Sequence, residues 1–221
     1  MVFLHGYGAN KECFLPQINY FSRFYRVTAF DFRGFGQSQP LTAPWSVSDY
    51  AEETREILKS LGVCRPSVVA HSFGGRVAVK LAATDGTFFD KMVLTGAAGI
   101  ILKRGAVYRL KIAAYRAVKR VFPSYAEKKF GSAEYRTLSP VMRESYKKIV
   151  NEDLRFEAEK IENPVLLLYG ERDKTTPVNA GMVYCNAIKN SRLTVMKGSG
   201  HFAFADDALL FDRLTEEFLE N

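Results

Sequence analysis

Ser72 stands between the apolar run Val68-Val69-Ala70-His71 and the pair Gly74-Gly75. Val77, Leu81 and Ala82 then recur on one helical face, so the stretch reads as strand, sharp turn, helix. A serine on such a turn must adopt an unfavourable backbone conformation, and only small neighbours at 70 and 74 let strand and helix pass so closely. The turn exposes the hydroxyl, and the first helical turn aims free N–H groups and the positive end of its dipole toward it. A serine hydroxyl is a poor nucleophile at neutral pH unless a base takes its proton, and the base needs an acid to fix its tautomer. Gly170-Glu171-Arg172-Asp173 offers two carboxylates after one apolar run, and Gly198-Ser199-Gly200-His201 offers an imidazole after another. The chain's other histidines are His5 and His71, and strand alternation turns His71 away from Ser72. Serine, acid and histidine, each just past a strand, are the ingredients of nucleophilic acyl transfer.

The elements that must position these groups follow from periodicity. Residues 1–4 form an apolar strand ending in His5-Gly6-Tyr7-Gly8. An amphipathic helix over 11–24, weakened by Pro16, leads to a strand over 25–30 and a glycine-punctuated loop over 31–38. That loop lacks the third glycine and the directly following helix of a dinucleotide fingerprint. Ser46 or Ser48 caps a helix running to about residue 61, with Tyr50, Thr54, Ile57, Leu58 and Leu61 on its buried side and Gly62 ending it. Strands over 91–95, 164–169 and 192–196 alternate with helices over 177–188 and 206–219. Such alternation implies right-handed crossovers and a mostly parallel sheet of about six strands with helices on both faces, whose strand-end loops share one rim. Over 100–161 the alternation gives way to helix patterns at 107–121 and 140–150, broken at Pro123 and Gly131. Residues 1–99 and 162–221 are therefore expected to form the core, and 100–161 a helical cap insertion. Its aromatics Tyr108, Tyr115, Phe122, Tyr125, Phe130, Tyr135 and Tyr146 are expected chiefly to pack the cap.

With 221 residues, 47% of them hydrophobic, the chain can bury one sizeable core plus a small insertion. Cys13, Cys64 and Cys185 are far apart, odd in number and without metal-ligand spacing, so they read as reduced thiols. No apolar run approaches the ~20 residues of a membrane span and no charged-then-apolar leader precedes the first strand, so a cytoplasmic location is expected. Between Lys103 and Arg155, fourteen Lys or Arg stand against five Asp or Glu, a surplus larger than the net +7 of the whole chain. The basicity belongs to the insertion. Without a recognised nucleic-acid module it reads as a solvated face, and the expected partner is a small molecule, not nucleic acid. No cofactor and no metal are expected.

Taken together these motifs resemble the α/β-hydrolase family. The matching pieces are His5-Gly6, Asp31-x-Arg33-Gly34-x-Gly36-x-Ser38, Ala70-x-Ser72-x-Gly74-Gly75, Gly170-x-x-Asp173 and Gly200-His201-Phe202, spread over nearly the whole chain with only the insertion unmatched. The resemblance implies an α/β-hydrolase fold with Ser72 as nucleophile, His201 as general base then acid, and Asp173 as orienting carboxylate. It also implies the backbone N–H groups of Tyr7 and Phe73 as an oxyanion hole. Glu171 is the alternative acid, but the family spacing after the glycine favours Asp173. By the same comparison His5 and His71 are packing residues, and Asp31 and Arg33 hold their loop. The implied activity is that of a serine hydrolase, foremost a carboxylic ester hydrolase working through an acyl-enzyme. Carbon–carbon bond hydrolysis, perhydrolysis and lactone opening by the same triad stay open, as does a non-catalytic ligand receptor. Ala70 replaces the family's usual glycine. Relatives usually place further strands before the His-Gly loop, so a bare sheet edge near Val27 is expected, open to self-association.

Overall fold

The computed structural model describes residues 1–102, 120 and 137–221. Six short strands, β1 (Val2–Leu4), β2 (Thr28–Ala29), β3 (Val68–His71), β4 (Met92–Thr95), β5 (Val165–Gly170) and β6 (Ser191–Met196), form one all-parallel sheet in the order β2-β1-β3-β4-β5-β6. The chain steps from β1 outward to β2, then returns to β3 on the other side. That reversal leaves a crevice between the C-terminal ends of β1 and β3, which is where open parallel sheets bind ligands.

Because strand side chains alternate, each apolar run feeds two cores. Val2, Leu4, Val68, Ala70, Met92, Leu94, Leu167 and Tyr169 pack with α2 (Val47–Ser60), α3 (Phe73–Thr84) and, through Ala180 and Tyr184, α6 (Val178–Ala187). Phe3, Val69, Val93, Leu166 and Leu168 point the other way, toward Phe14, Phe21, Phe204 and Phe211 of the 3-10 turn Lys11–Phe14, α1 (Leu15–Phe21), α7 (Ala203–Asp206) and α8 (Ala208–Glu220). No helix among the described residues is long and apolar enough to cross a membrane.

Several boundaries differ from the periodicity reading for identifiable reasons. Pro16 does not weaken its helix; it sits in the first turn of α1, where its missing N–H costs nothing. The strand expected over 25–30 shrinks to two residues, because β1 offers β2 only Val2 and Phe3 before it turns away at His5. Ser46, not Ser48, caps α2, in a reciprocal box with Asp49. Leu61 falls outside that helix and is 47% exposed. The last helix is split at Asp207, whose non-helical backbone and side-chain cap on Leu210 N start α8 anew.

Within residues 100–161, the pattern over 140–150 becomes α4 (Pro140–Asn151), capped by Ser139, and α5 (Arg155–Ala158) follows. The pattern over 107–121 and the aromatics Tyr108, Tyr115, Phe122, Tyr125, Phe130 and Tyr135 lie outside the described residues. Helix α4 reaches over the strand ends: Ser145 Oγ accepts from Trp45 N at 2.9 Å, and Tyr7 Oη contacts Met142 O at 3.4 Å.

Candidate active site

Ser72 sits between β3 and α3 with φ 50°, ψ −106°, a left-handed backbone that a β-carbon makes costly. Ser72 N donates to Thr95 O at 3.1 Å, and Ser72 O accepts from Ala98 N at 3.0 Å. Gly74 allows α3 to cross β1: a β-carbon there would lie 2.2 Å from Leu4 O. Ala70, fully buried between Leu4 and Leu94, fits without disturbing the register on either side.

Three residues distant in sequence meet at this turn. His201 Nε2 lies 3.2 Å from Ser72 Oγ, and His201 Nδ1 lies 2.7 Å from Asp173 Oδ2. The other Asp173 oxygen accepts from the amides of Thr175 and Thr176 at 2.8 and 2.9 Å. Burial alone would raise the Asp173 carboxyl, but hydrogen bonds from His201 and Thr176 outweigh it and hold the group below its ordinary range. Of the two acids in this loop only Asp173 reaches the imidazole, for Glu171 turns outward to accept from Gly198 N at 2.9 Å. Thr176, which motif spacing did not single out, places Oγ1 2.7 Å from Asp173 Oδ2, 3.1 Å from His201 Nδ1 and 2.9 Å from Gly96 O. The only trace of it in the sequence is a Thr three residues after the acid, a common turn pattern.

The loop after β1 closes the other side. A β-carbon on Gly6 would lie 2.8 Å from His71 Nδ1 and 3.4 Å from Ser72 Cβ, so the peptide leading to Tyr7 runs against the serine turn. Among the described residues, Tyr7 N and Phe73 N donate no intramolecular hydrogen bond. The Tyr7 ring packs edge-on against Phe73 at 5.8 Å, Phe35 at 4.8 Å and Tyr146 of α4 at 5.1 Å. These rings form an apolar collar beside the hydroxyl.

The remaining histidines serve the scaffold. His5 Nε2 accepts from Phe32 N at 3.0 Å and its Nδ1 meets Gly6 O at 2.8 Å; burial lowers its proton affinity. His71 Nε2 lies 3.1 Å from His201 O, and its ring packs 4.7 Å from that of His201. Burial, reinforced by His201, pushes its pKa down to about 3, so His71 is neutral and meets the His201 main chain as a donor through Nε2–H. Asp31 ties its loop to Lys11 and Gln37, and Arg33 pairs with Glu53 at 2.6 Å. Beside Thr176 opens a cavity of about 950 Å³, walled in part by Ala97, Ala98 and Gly99.

Comparison with known proteins bears on the family and the fold. A model of the alpha/beta hydrolase family matches residues 1–213. The AB hydrolase superfamily protein YisY of Bacillus subtilis is 27% identical over 248 residues, covering 99% of this chain and 90% of its own. The 2-hydroxymuconate semialdehyde hydrolase of Pseudomonas putida is 26% identical over 215 residues, covering 88% and 76%. Among solved structures, an esterase from Exiguobacterium antarcticum superposes with a TM-score of 0.79 at 24% identity, covering 100% of this chain and 91% of that one, a likeness of fold.

Proposed function

This chain belongs to the alpha/beta hydrolase family, and on that premise we propose that it is a serine hydrolase cleaving a small carboxylic ester through an acyl-enzyme. Ser72 Oγ attacks the ester carbonyl carbon while His201 Nε2 takes its proton. Asp173 accepts from Nδ1–H, fixing the tautomer and stabilising the imidazolium. The charge that develops on the carbonyl oxygen is received by the free N–H groups of Tyr7 and Phe73, where loss of a single donor costs about 2.7–4 kcal/mol of transition-state stabilisation. Collapse breaks the carbon–oxygen bond to the alcohol, which leaves with the proton from His201. A water then attacks the acyl carbon, His201 accepting its proton, and the acid departs as Ser72 regains its hydrogen. Residues 100–161 serve as the cap that shapes the acyl and alcohol sites.

The observation that carries this reading is the unbroken series from Ser72 Oγ through His201 to Asp173, at 3.2 and 2.7 Å. Its test is release of p-nitrophenol from short acyl esters. Ser72→Ala and His201→Ala should each lower kcat by about 10³–10⁶ with the far-ultraviolet spectrum unchanged. Near-wild-type turnover in either variant sinks the assignment. A fluorophosphonate adduct located on Ser72 by mass spectrometry would support it independently. Carbon–carbon bond hydrolysis by the same residues is the second reading, favoured by the likeness to the semialdehyde hydrolase. A protein that binds short esters and releases no product would instead be a receptor.

A further inference from the structure

Among the described residues, the cavity beside Thr176 is lined by two cationic side chains, Arg76 and Lys174, by the polar Tyr146, Asn151, Thr175 and Thr176, and by apolar residues that include Ile100, Ile101, Val150 and Ala180. Arg76 lies in the first turns of α3, four residues after Ser72 and so about 6 Å further along the helix axis. It is 6% exposed. Its sole hydrogen bond among the described residues runs from Nη1 to the main-chain oxygen of Glu152 at 2.7 Å. That oxygen belongs to the C-terminal end of α4, so the contact steadies the helix end, but it uses only part of a five-donor fork.

The acids nearest to Arg76 are already engaged. Glu152 and Glu157 share Lys80 at 2.8 Å each. Asp153 accepts from the amides of Ile101 and Arg155 and pairs with the Arg155 guanidinium at 3.4 Å. Among the described residues no carboxylate stands within 4.0 Å of Arg76, although burial works against its charge. A buried guanidinium that stays ionised, has unused donors and borders an open cavity calls for an anion from outside.

We propose that this cavity accepts a carboxylate carried by the substrate, bound by Arg76 at the inner wall with Lys174 as the exposed cation at the rim. The planar fork of arginine matches a carboxylate, and the neighbouring Glu152 and Asp153 temper the positive field, which suits a monoanion better than a phosphate dianion. The apolar residues between take the short chain that links the carboxylate to the scissile bond. The consequence for turnover rests on the hydrolase reading; the binding site does not.

The test compares mono-p-nitrophenyl glutarate with p-nitrophenyl valerate, esters of equal chain length that differ by one carboxylate. Wild-type kcat/KM should favour the glutarate ester by about tenfold or more, and Arg76→Gln should lose at least about tenfold more on it than on the valerate ester. Arg76→Lys should recover part of that difference. Equal wild-type rates on the two esters, or equal losses in the variant, overturn the proposal. If Arg76→Gln does not fold, the wild-type ratio and Lys174→Gln decide, since that exposed change should lower the selectivity and an unchanged ratio would count against the site. Glutarate itself, at about 10 mM, should raise the Tm of the Ser72→Ala protein, a readout that needs no turnover. A Tm rise that requires Arg76, with neither ester cleaved, overturns the hydrolase reading and leaves the carboxylate site standing. Brisk but unselective hydrolysis without that rise does the reverse.

Discussion

At the scale of single residues, the feature that motif spacing did not reveal is Thr176. Its hydroxyl has Asp173 Oδ2 and Gly96 O within reach as acceptors at 2.7 and 2.9 Å, and its oxygen lies 3.1 Å from His201 Nδ1. The side chain therefore locks the carboxylate at the angle from which it can accept from the imidazole. Thr176→Val keeps the shape and removes the hydroxyl, so kcat on a p-nitrophenyl ester should fall about tenfold, the worth of one buried hydrogen bond, with KM little changed. An equal rise in KM would show instead that the residue shapes the cavity. Ser72 and His201 could be picked out from the chain because each stands in a loop just past a strand, and parallel strands bring such loops to one rim, whereas preferring Asp173 to Glu171 needed the family's spacing. Thr176 and Arg76 could not. The hydroxyl acquires its partners only when the loop after β5 folds into a turn against β4, and position 76 looks like any polar residue on an amphipathic helix until its neighbours are seen to be spoken for.

At the scale of elements, α1 and α8 press an acid between them. Asp212 is 6% exposed, and Asp212 Oδ1, Gln17 Oε1 and Thr215 Oγ1 all lack a hydrogen-bond partner. Burial raises the Asp212 carboxyl to about 6, aided by the nearby Glu216 and opposed by Gln17 and Arg23. The folded state thus holds this proton more tightly than the unfolded chain, whose ordinary value is 3.8. The favourable contribution is complete below about 4 and is lost as pH rises through about 6. Asp212→Asn should consequently stabilise the protein by about 1–3 kcal/mol at pH 7.5, with the advantage vanishing near pH 4. Urea titrations of both proteins across that range would show a constant gap if the idea is wrong. Helix existence and most helix faces were legible beforehand from apolar spacing, as with Tyr50, Thr54 and Leu58 on α2. The ends were not, since Pro16, Leu61 and Asp207 owe their places to capping and to the length of neighbouring strands.

At the scale of the whole molecule, a parallel sheet of about six strands was implied by the strand-helix alternation, but the strand order and the shortness of β2 were not. Its outer side faces no further strand among the described residues. A bare edge invites pairing, yet two residues offer few groups to pair, which is one way proteins keep an edge from propagating. Association through β2 should accordingly be weak and reversible, with light-scattering mass rising only at high concentration and Ala29→Pro abolishing the rise. A tight dimer that survives dilution and tolerates that substitution would place the contact elsewhere.

The bare α-carbon of Gly74 against the carbonyl of Leu4 has a consequence of its own. Since Leu4 leads within three residues to Tyr7, and Gly74 follows Ser72 by two, the missing methyl acts as a gauge block between the Ser72 hydroxyl and the Tyr7 amide. Any side chain inserted there would push both jaws apart at once, so the gap between Ser72 and Tyr7 is set by an atom that is not present.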